Sequence, residues 1–384
     1  METIVYEGSV KLRIHKAEKV SKEMRVFYNP IMSLNRDISV LLINSVNKNN
    51  LQIADPLAAS GVRSIRFLKE LNKDKIKKIY INDYSKAAIK SIKENLTLNK
   101  IQYKNILKKH SFFGTQKSKI FEYPEIIIKN SDANLFLLNS TGFDYIDIDP
   151  FGSPNFLLNS AVLRLARDGI IAVTATDTSA LCGTFPRACI RKYWALPKKN
   201  AVMHETGLRI LIRKIQLVAA QYDKALTPIF SYSKEHYMRA FLKNEKGKHK
   251  VDKILKLHGF FNDAGPLWLG NLWDKNLADK IYKNTLKNKI FRENMELVGF
   301  LQTIKEESKI NAVGFYDLHD ICRKNNIKNL PRKEIMKNKI KKAGYKASDT
   351  HFKGEGIRSD IEINHLIKIL KCRKLEIFEH SENQ

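Results

Sequence analysis

Apolar and polar positions along the first half of the chain change their period several times, and each change predicts a different element. Five short apolar runs predict β-strands, and each run ends at a polar residue or a turn. They extend from 51 to a break at 58–61, over 76–83, from 125 to about 132, over 143–149 and over 168–177. Because strands that alternate with helices form parallel sheets with right-handed crossovers, the pattern predicts an α/β fold.

The segments between these strands have helical spacing. Apolar residues recur at helical intervals in "VRSIRFLKEL" (62–71), and "SKAAIKSIKENLTLN" (85–99) is amphipathic, with Ser85 as a suitable N-cap. A long helix is predicted over 201–225, and two strands joined by a turn near 234–235 follow it. The polar, basic segment 100–123 is predicted to be a surface insertion.

A charged, apolar-poor stretch, "KNEKGKHKVDK", follows the second of these strands and predicts a domain boundary near Asn244. The first domain is then 1–243, and 244–384 is a smaller α+β domain. Two short helices and a basic turn within 317–360 are consistent with a winged-helix-like unit.

The net charge of +28 and the isoelectric point near 9.8 favour a polyanionic partner, most simply a nucleic acid, although the lysines are dispersed and locate no patch. No apolar run approaches the length of a membrane span, and the N-terminus lacks the apolar core of a signal peptide. We therefore expect a cytoplasmic protein without a membrane partner. No obligate protein partner is indicated.

The four cysteines have neither metal-ligand spacing nor a disulfide context, so we expect reduced, mostly buried thiols and no metal. They are Cys182, Cys189, Cys322 and Cys372.

Four acids fall at the predicted carboxyl ends of successive strands: Asp55, Asp83, Asp132 and Asp149. Ligands of open α/β sheets bind at these ends, so the four acids predict a shared cleft. The small residues at 58–61 precede a helix, where the backbone can approach a ligand, and Asp83 is placed to accept hydrogen bonds from ribose hydroxyls. The sequence there is not GxGxxG, which argues against a dinucleotide.

Asp149, Pro150 and Phe151 suit methylation of an exocyclic amine. The lone pair of such an amine is delocalised into the base, which makes it a weak nucleophile. A carboxylate and a proline carbonyl that each accept one N–H draw electron density onto the nitrogen, and an aromatic ring fixes the plane of the base. We therefore assign these three residues to catalysis.

Motifs along nearly the whole chain resemble the tRNA (guanine-N2)-dimethyltransferase family that acts at position 26. They begin with "VFYNPIMSLNRDISV" (26–40), "DPLAASGVRSIRF" (55–67), "NSDANLFL" (130–137), "DYIDIDPFGSP" (144–154) and "VTATDTSALCG" (173–183). The match continues through "SKEHYMRAFLK", "GPLWLG" and "YDLHDIC" to "AGYKASDTHFKGEGIRSD". The resemblance implies a class I, Rossmann-like methyltransferase sheet with helices on both faces, S-adenosyl-L-methionine as cofactor, tRNA as substrate, and a C-terminal domain that binds tRNA.

The resemblance also implies roles for single residues. Arg36 and Arg66 would hold the cofactor through its carboxylate, and Asp83 would bind the ribose. The adenine would meet Asp132 and Ala133, while Phe27 would lie near the target base. In the C-terminal domain, basic residues of "PRKEIMKNKIKK" (331–342) are candidates for contacts with tRNA phosphates.

One departure from the family concerns metal. Many relatives carry paired cysteines, consistent with a zinc site, before the "GPLW" motif, whereas 244–265 contains none here. We expect that the metal has been lost or that packing of the insertion replaces it. His249 and His258 are expected to be surface groups.

Two alternatives remain open. The same chemistry could act on another amine, either adenine N6 in DNA or a glutamine amide in a protein. The chain could also be an RNA-binding module without catalysis, although binding alone needs neither Asp149 nor the predicted cofactor residues.

Overall fold

The computed structural model describes residues 2–15, 24–103, 124–328 and 330–371 of the 384-residue chain, so most of the predicted surface insertion lies outside the described residues. The strands are β1 (Glu2–Glu7), β2 (Val10–His15), β3 (Leu51–Asp55), β4 (Ile76–Asp83), β5 (Glu125–Asn130), β6 (Phe143–Ile148), β7 (Leu165–Ala175), β8 (Lys224–Lys234), β9 (Tyr237–Lys246), β10 (His258–Phe261), β11 (Ala264–Trp268), β12 (Tyr316–Asp317), β13 (Ala347–Asp349) and β14 (Gly356–Ser359).

The helices, together with a short 3-10 turn at Pro30–Met32, are α1 (Ser33–Ser45), α2 (Val62–Glu70), α3 (Lys86–Leu98), α4 (Ala133–Leu138), α5 (Asn155–Arg164), α6 (Thr178–Leu181), α7 (Pro186–Tyr193), α8 (Met203–Ala220), α9 (Lys248–Leu255), α10 (Lys275–Lys287), α11 (Lys289–Arg292), α12 (Met295–Glu307), α13 (Leu318–Lys324), α14 (Lys333–Lys342) and α15 (Ile363–Lys371). Within the described residues, none of these helices is long and apolar enough to cross a membrane.

A seven-stranded mixed sheet organises the fold, in the order β5-β4-β3-β6-β7-β9-β8. Strands β3 to β7 pair in parallel, whereas β9 is antiparallel to both β7 and β8. The predicted α/β fold is therefore confirmed. Because β3 and β6 are neighbours at the centre while β4 lies outside β3, the chain reverses its direction of travel between them, and a crevice forms at their carboxyl ends.

Helices pack in two contiguous groups, α1–α2–α3 and α4–α5–α8. Strand β6 is covered on both faces: Tyr145, Ile146 and Ile148 are essentially inaccessible to solvent. This is why the strand has nearly continuous apolar character rather than simple alternation. Strand β5 ends at Asn130, two residues before the predicted end, because Asp132 caps α4 with its carboxylate.

The expected domain boundary near Asn244 does not coincide with a change in packing. Asn244 is buried in β9, and its side-chain amide donates a hydrogen bond to the Ala166 carbonyl. One hydrophobic core continues beyond it, through Val251 and Ile254 of α9, as far as Phe352. The apolar-poor stretch that suggested the boundary is the exposed end of β9 followed by an amphipathic helix with only two buried residues.

A second, smaller core lies in the C-terminal part, between Leu318 and Leu370. Around it, the antiparallel sheet β12-β14-β13 packs with α13, α14 and α15. Arg358 of β14 ties this unit to the larger core through ion pairs of 2.5 Å to Glu205 in α8 and 3.0 Å to Glu307 in α12, all fully buried. The winged-helix-like assignment remains a prediction.

Cys182, Cys189 and Cys322 are buried free thiols, while Cys372 lies outside the described residues. His258 is only half-buried: its imidazole lies against the Trp268 ring and 2.8 Å from the Gln216 amide oxygen, and burial lowers its pKa to about 4. His249 is exposed as expected. Within the described ranges, no three His, Cys, Asp or Glu side chains gather as a metal site would require.

Candidate active site

A cavity of about 660 Å³ opens at the carboxyl ends of β3, β4 and β6. This volume lies in the range of small-molecule and cofactor sites. Six of the nine residues assigned from the sequence line it: Phe27, Arg36, Asp83, Asp149, Pro150 and Phe151. They come from three separate regions of the chain, within 26–40, at 83 and over 149–151, and the sheet topology brings them together. Arg66, Asp132 and Ala133 are not among the lining residues.

Asp149 is held from one side by a buried arginine that the sequence analysis did not assign. The Nη2 of Arg63, in the first turn of α2, donates to Asp149 Oδ2. The same guanidinium donates to Asn35 Oδ1 at 3.0 Å and Ser39 Oγ at 3.1 Å in α1. Asp149 Oδ1 makes no hydrogen bond with any described residue, and the side chain is 22% exposed. One carboxylate oxygen therefore remains available to a ligand.

A second arginine stabilises the strand that carries Asp149. Arg239 of β9 is fully buried and donates to both carboxylate oxygens of Asp147, at 3.0 and 2.6 Å. Burial raises the pKa of Asp147, but the positive charges of Arg239 and Arg63 outweigh this effect and hold the pKa below its ordinary value. The Tyr145 hydroxyl also donates to Asp147, at 2.7 Å. This network, two residues before Asp149, fixes the direction in which β6 leaves the sheet.

The aromatic side of the cavity is formed by Phe151 and Phe27. Their rings meet edge to face with centroids 4.3 Å apart, and Phe151 is 41% exposed. The turn after Phe151 is fixed because Gly152 and Thr176 exchange two hydrogen bonds, at 2.6 and 3.0 Å. Gly152 has φ of 76°, a conformation that favours glycine. The Pro150 carbonyl accepts no hydrogen bond from any described residue, so it too is available to a ligand.

Asp83 closes the turn between β3 and α2. One carboxylate oxygen accepts the Ala59 N–H and the other accepts the Ser85 N–H, both at 2.8 Å. Each carboxylate oxygen can accept more than one hydrogen bond, so Asp83 can still bind hydroxyl groups from the cavity. The turn has left-handed backbone at Ala59 (φ 48°) and Gly61 (φ 79°), which brings it close to the cavity.

Arg36 lines the cavity, but it is also bound to Glu7 of β1. Its Nε and Nη2 donate to the two Glu7 oxygens at 2.6 and 2.5 Å, and Nη2 donates to the Asn29 carbonyl at 3.0 Å. Tyr28 donates to the same carboxylate, and burial together with the Glu7 charge raises its pKa to about 12. The N-terminal hairpin therefore positions Arg36.

Arg66 does not line the cavity, so the role predicted for it in cofactor binding stays a prediction. Its guanidinium is inaccessible to solvent and forms ion pairs with Glu7 at 3.1 Å, Asp37 at 2.6 Å and Glu70 at 2.6 Å. Arg63 and Arg66 both belong to α2, but only Arg63 lies in the first turn, next to the ligand side of the sheet. The motif 55–67 contains both arginines, and of the two only Arg63 lines the cavity.

Asp132 and Ala133 lie at the end of β5, beside the cavity rather than in it. Asp132 Oδ1 accepts the N–H groups of Asn134 and Leu135 at 2.9 and 3.1 Å as the N-cap of α4. The Asn82 amide donates to the carbonyls of Pro56 and Ser131, which joins the ends of β3, β4 and β5. The roles predicted for Asp132 and Ala133 therefore stay predictions.

Asp55 and Tyr237 also line the cavity, although the sequence assigned neither a role. Asp55, at the end of β3, is buried, and its pKa rises to about 7 because of that burial. It was recognised as a strand-end acid but received no role. Tyr237 reaches the cavity from the β8–β9 hairpin, with its ring against Tyr232. Nothing in the local sequence signals this contact, because it depends on the antiparallel insertion of β9.

The model of the N2,N2-dimethylguanosine tRNA methyltransferase family matches residues 8–264 and 257–371. The chain belongs to this family. It is 37% identical, over 95% of both chains, to the tRNA (guanine(26)-N(2)/guanine(27)-N(2))-dimethyltransferase of Aquifex aeolicus. It is 34% identical, over 97% of this chain and 100% of the relative, to the tRNA (guanine(26)-N(2))-dimethyltransferase of Methanocaldococcus jannaschii.

A solved structure supports the same conclusion. Trm1 from Pyrococcus horikoshii, in complex with S-adenosyl-L-methionine, superimposes with a TM-score of 0.83 at 34% identity, covering 96% of this chain and 99% of that one. The resemblance inferred from the motifs is therefore confirmed at the level of family and fold.

Proposed function

We propose that this protein is an S-adenosyl-L-methionine-dependent tRNA methyltransferase that dimethylates N2 of the guanosine at position 26. The observation that carries the proposal is the pairing, in one cavity of a chain of this family, of Asp149 with the aromatic residues Phe27 and Phe151. A module that only bound RNA would not require a carboxylate with one free oxygen beside a cofactor-sized cavity.

The cavity suits S-adenosyl-L-methionine in size and in the chemistry of its walls. Asp83 can accept hydrogen bonds from ribose hydroxyls, and Arg36 and Arg63 provide positive charge for a carboxylate. The Arg63 guanidinium donates to Asn35 and Ser39 as well as to Asp149, so it stays in place when a ligand contacts Asp149. When bound, the cofactor supplies an electrophilic methyl group on a sulfonium.

The residues of this chain prepare the amine for transfer. Asp149 Oδ1 accepts one N–H of the exocyclic amine, and the Pro150 carbonyl accepts the other, which localises the lone pair on nitrogen. The ring of Phe151, braced by Phe27, holds the plane of the base. As the amine gains the methyl group it must lose a proton, and Asp149 Oδ1, a carboxylate oxygen without a hydrogen bond from any described residue, can accept it.

The substrate must be held by contacts outside this cavity. A base in a folded tRNA has to leave its stack to reach a pocket of this kind, which costs a few kcal/mol. In α14, Lys333 and Lys337 are engaged by Asp349, so they are poor candidates for phosphate contacts. Lys341 and Lys342 are exposed, and no described carboxylate pairs with them. We propose that the C-terminal unit contributes these two lysines to tRNA binding.

The test is nucleoside mass spectrometry of tRNA transcripts incubated with the protein and labelled cofactor. Transcripts with guanosine at 26 should yield dimethylguanosine, and transcripts with adenosine at 26 should not. A third transcript with adenosine at 27 separates modification of the two neighbouring positions, since the Aquifex relative is named for both. Label in methyladenine, or no label in any tRNA, would refute the proposal.

A further inference from the structure

Helix α7 presents an exposed face on which basic and apolar side chains alternate. Arg187, Ile190, Arg191 and Trp194 recur at intervals of three and four, so they share one side of the helix. All four are exposed, and we call them the α7 face. The opposite side holds Cys189 and Tyr193, which are buried. One side of the helix therefore packs in the core, as in other amphipathic helices, while the solvent side carries the large apolar residues Ile190 and Trp194.

The charges of the α7 face are unbalanced. The 27 residues 178–204 contain no Asp or Glu and five Lys or Arg. Neither Arg187 nor Arg191 makes an ion pair or a side-chain hydrogen bond with any described residue. Exposed arginines that lack carboxylate partners in a chain of net charge +28 are complementary to phosphate, which their guanidinium can bind with two parallel hydrogen bonds.

Trp194 adds a stacking surface. It ends α7 in the left-handed conformation (φ 56°), and 51% of the side chain is exposed. The Lys214 Nζ lies 2.9 Å from the ring centroid, so a cation covers one face of the indole. Phe185, at the start of the helix, is 61% exposed. Exposed aromatic rings among unpaired arginines are typical of surfaces that bind single-stranded nucleic acid.

Hydrogen bonds join helix α7 to segments that adjoin the cavity lining. Asp177, which follows the cavity residue Thr176, accepts the Tyr193 hydroxyl at 2.6 Å and the Lys192 Nζ at 3.0 Å. The Asn155 amide, next to the cavity residue Phe156, donates to the Lys192 carbonyl at 2.7 Å. Because these segments adjoin the cavity lining, the helix lies near the cavity that would receive the target base.

We infer that the α7 face binds the tRNA strand next to the base in the cavity. Arg187 and Arg191 contact its phosphates, and Trp194 stacks on a neighbouring unpaired base. This inference rests on the proposed function, because it takes tRNA as the substrate. Its role is to supply, close to the reacting base, part of the binding energy that offsets extrusion of that base from its stack.

The first test measures tRNA affinity of the double variant Arg187→Ala/Arg191→Ala over a range of salt concentrations. Each lost phosphate contact makes the slope of log affinity against log salt shallower by about 0.7 to 0.9. The slope of the double variant should therefore be shallower by roughly 1.4 to 1.8. We expect a rise of about tenfold or more in the tRNA Kd, with an unchanged Kd for S-adenosyl-L-methionine. Replacing both arginines by lysine should restore most of the slope, because the charge returns.

The matched control is Arg167→Ala/Arg292→Ala, which removes the same charge from exposed arginines on β7 and α11 that do not line the cavity. An unchanged slope in the α7 variant, or an equal loss in the control, overturns the inference. These results are separate from failure of the proposed function, which would appear as wild-type protein that methylates no tRNA.

The second test uses tryptophan fluorescence. Trp194 is the exposed one of three tryptophans, since Trp268 and Trp273 are 3% and 6% exposed. With cofactor saturating, tRNA should quench the emission of the wild type, and Trp194→Phe should lose the quenching while retaining affinity. If quenching persists in Trp194→Phe, or if Trp194→Ala binds tRNA as tightly as the wild type, the stacking contact is refuted.

Discussion

Replacing Asp149 by asparagine should stop methyl transfer while leaving the cofactor site intact. The geometry explains why even this conservative change is severe. Arg63 donates to Asp149 Oδ2 and needs an acceptor there, so an asparagine would turn its carbonyl oxygen toward Arg63. Its NH2 group would then face the position of the substrate amine, where a donor meets a donor instead of an acceptor.

The expected magnitude follows from what is lost. A hydrogen bond to a charged acceptor contributes about 1.5–3 kcal/mol, and a positioned general base contributes about 10²- to 10⁴-fold in rate. We therefore expect kcat to fall by roughly two to four orders of magnitude. Arg63 keeps Asn35, Ser39 and Asp147 as partners, so the Kd for the cofactor should change by less than about tenfold, or 1.4 kcal/mol.

The assay is single-turnover transfer of a labelled methyl group to tRNA, with calorimetry for the cofactor. The matched control is Asp144→Asn, the same substitution at the opposite end of β6, where the carboxylate binds the Gln52 N–H at 2.9 Å and Lys48 at 2.7 Å. The control should turn over normally. Turnover of Asp149→Asn within tenfold of the wild type would show that Asp149 does not accept the amine and would refute the mechanism.

Three further predictions follow from the contacts described. Asp83→Ala should weaken cofactor binding by about 1–3 kcal/mol in calorimetry, because it removes a charged acceptor, and an unchanged Kd would exclude Asp83 from the site. The raised pKa of Asp55, about 7, means that the folded protein binds a proton more tightly than the unfolded chain, so stability from this group is present below pH 4 and is lost as the pH rises to 7. Urea unfolding should show Asp55→Asn gaining stability over the wild type across that range, and parallel pH profiles would contradict this. Arg358→Met should destabilise the protein by about 3–5 kcal/mol in thermal unfolding, because the buried Glu205 and Glu307 lose a shared partner, and an unchanged Tm would argue against that network.

Much of the fold could be predicted from local pattern, because a strand that is buried on both faces must be apolar and must end in a turn. The strand ends at Asp83 and Asp149 could be predicted for that reason, and the resemblance to the family assigned six of the residues that line the cavity. The choice between Arg63 and Arg66 could not be made from spacing. Both are buried, and the tertiary positions of Glu7, Asp37 and Glu70, which pair with Arg66, are not visible in the spacing.

Contacts between distant parts of the chain explain the other differences. The charged stretch after Lys243 resembles a linker in composition, but α9 needs only Val251 and Ile254 to pack against the larger core. Tyr237 reaches the cavity because β9 runs antiparallel beside β7, and a pairing between positions 65 residues apart, such as Thr174 with Arg239, has no local signature.

The buried pair of Asp147 and Arg239 also bears on how the protein is made. Asp147 leaves the ribosome 92 residues before the arginine that donates to both of its oxygens. Until β9 has been synthesised and has paired with β7, Arg63 is the one described cation that balances the Asp147 charge, and the edge of β7 is open to other strands. Translation must therefore proceed beyond Lys246 before β6 and β7 are stably enclosed. A pause in synthesis before that point would leave an aggregation-prone intermediate for chaperones to protect.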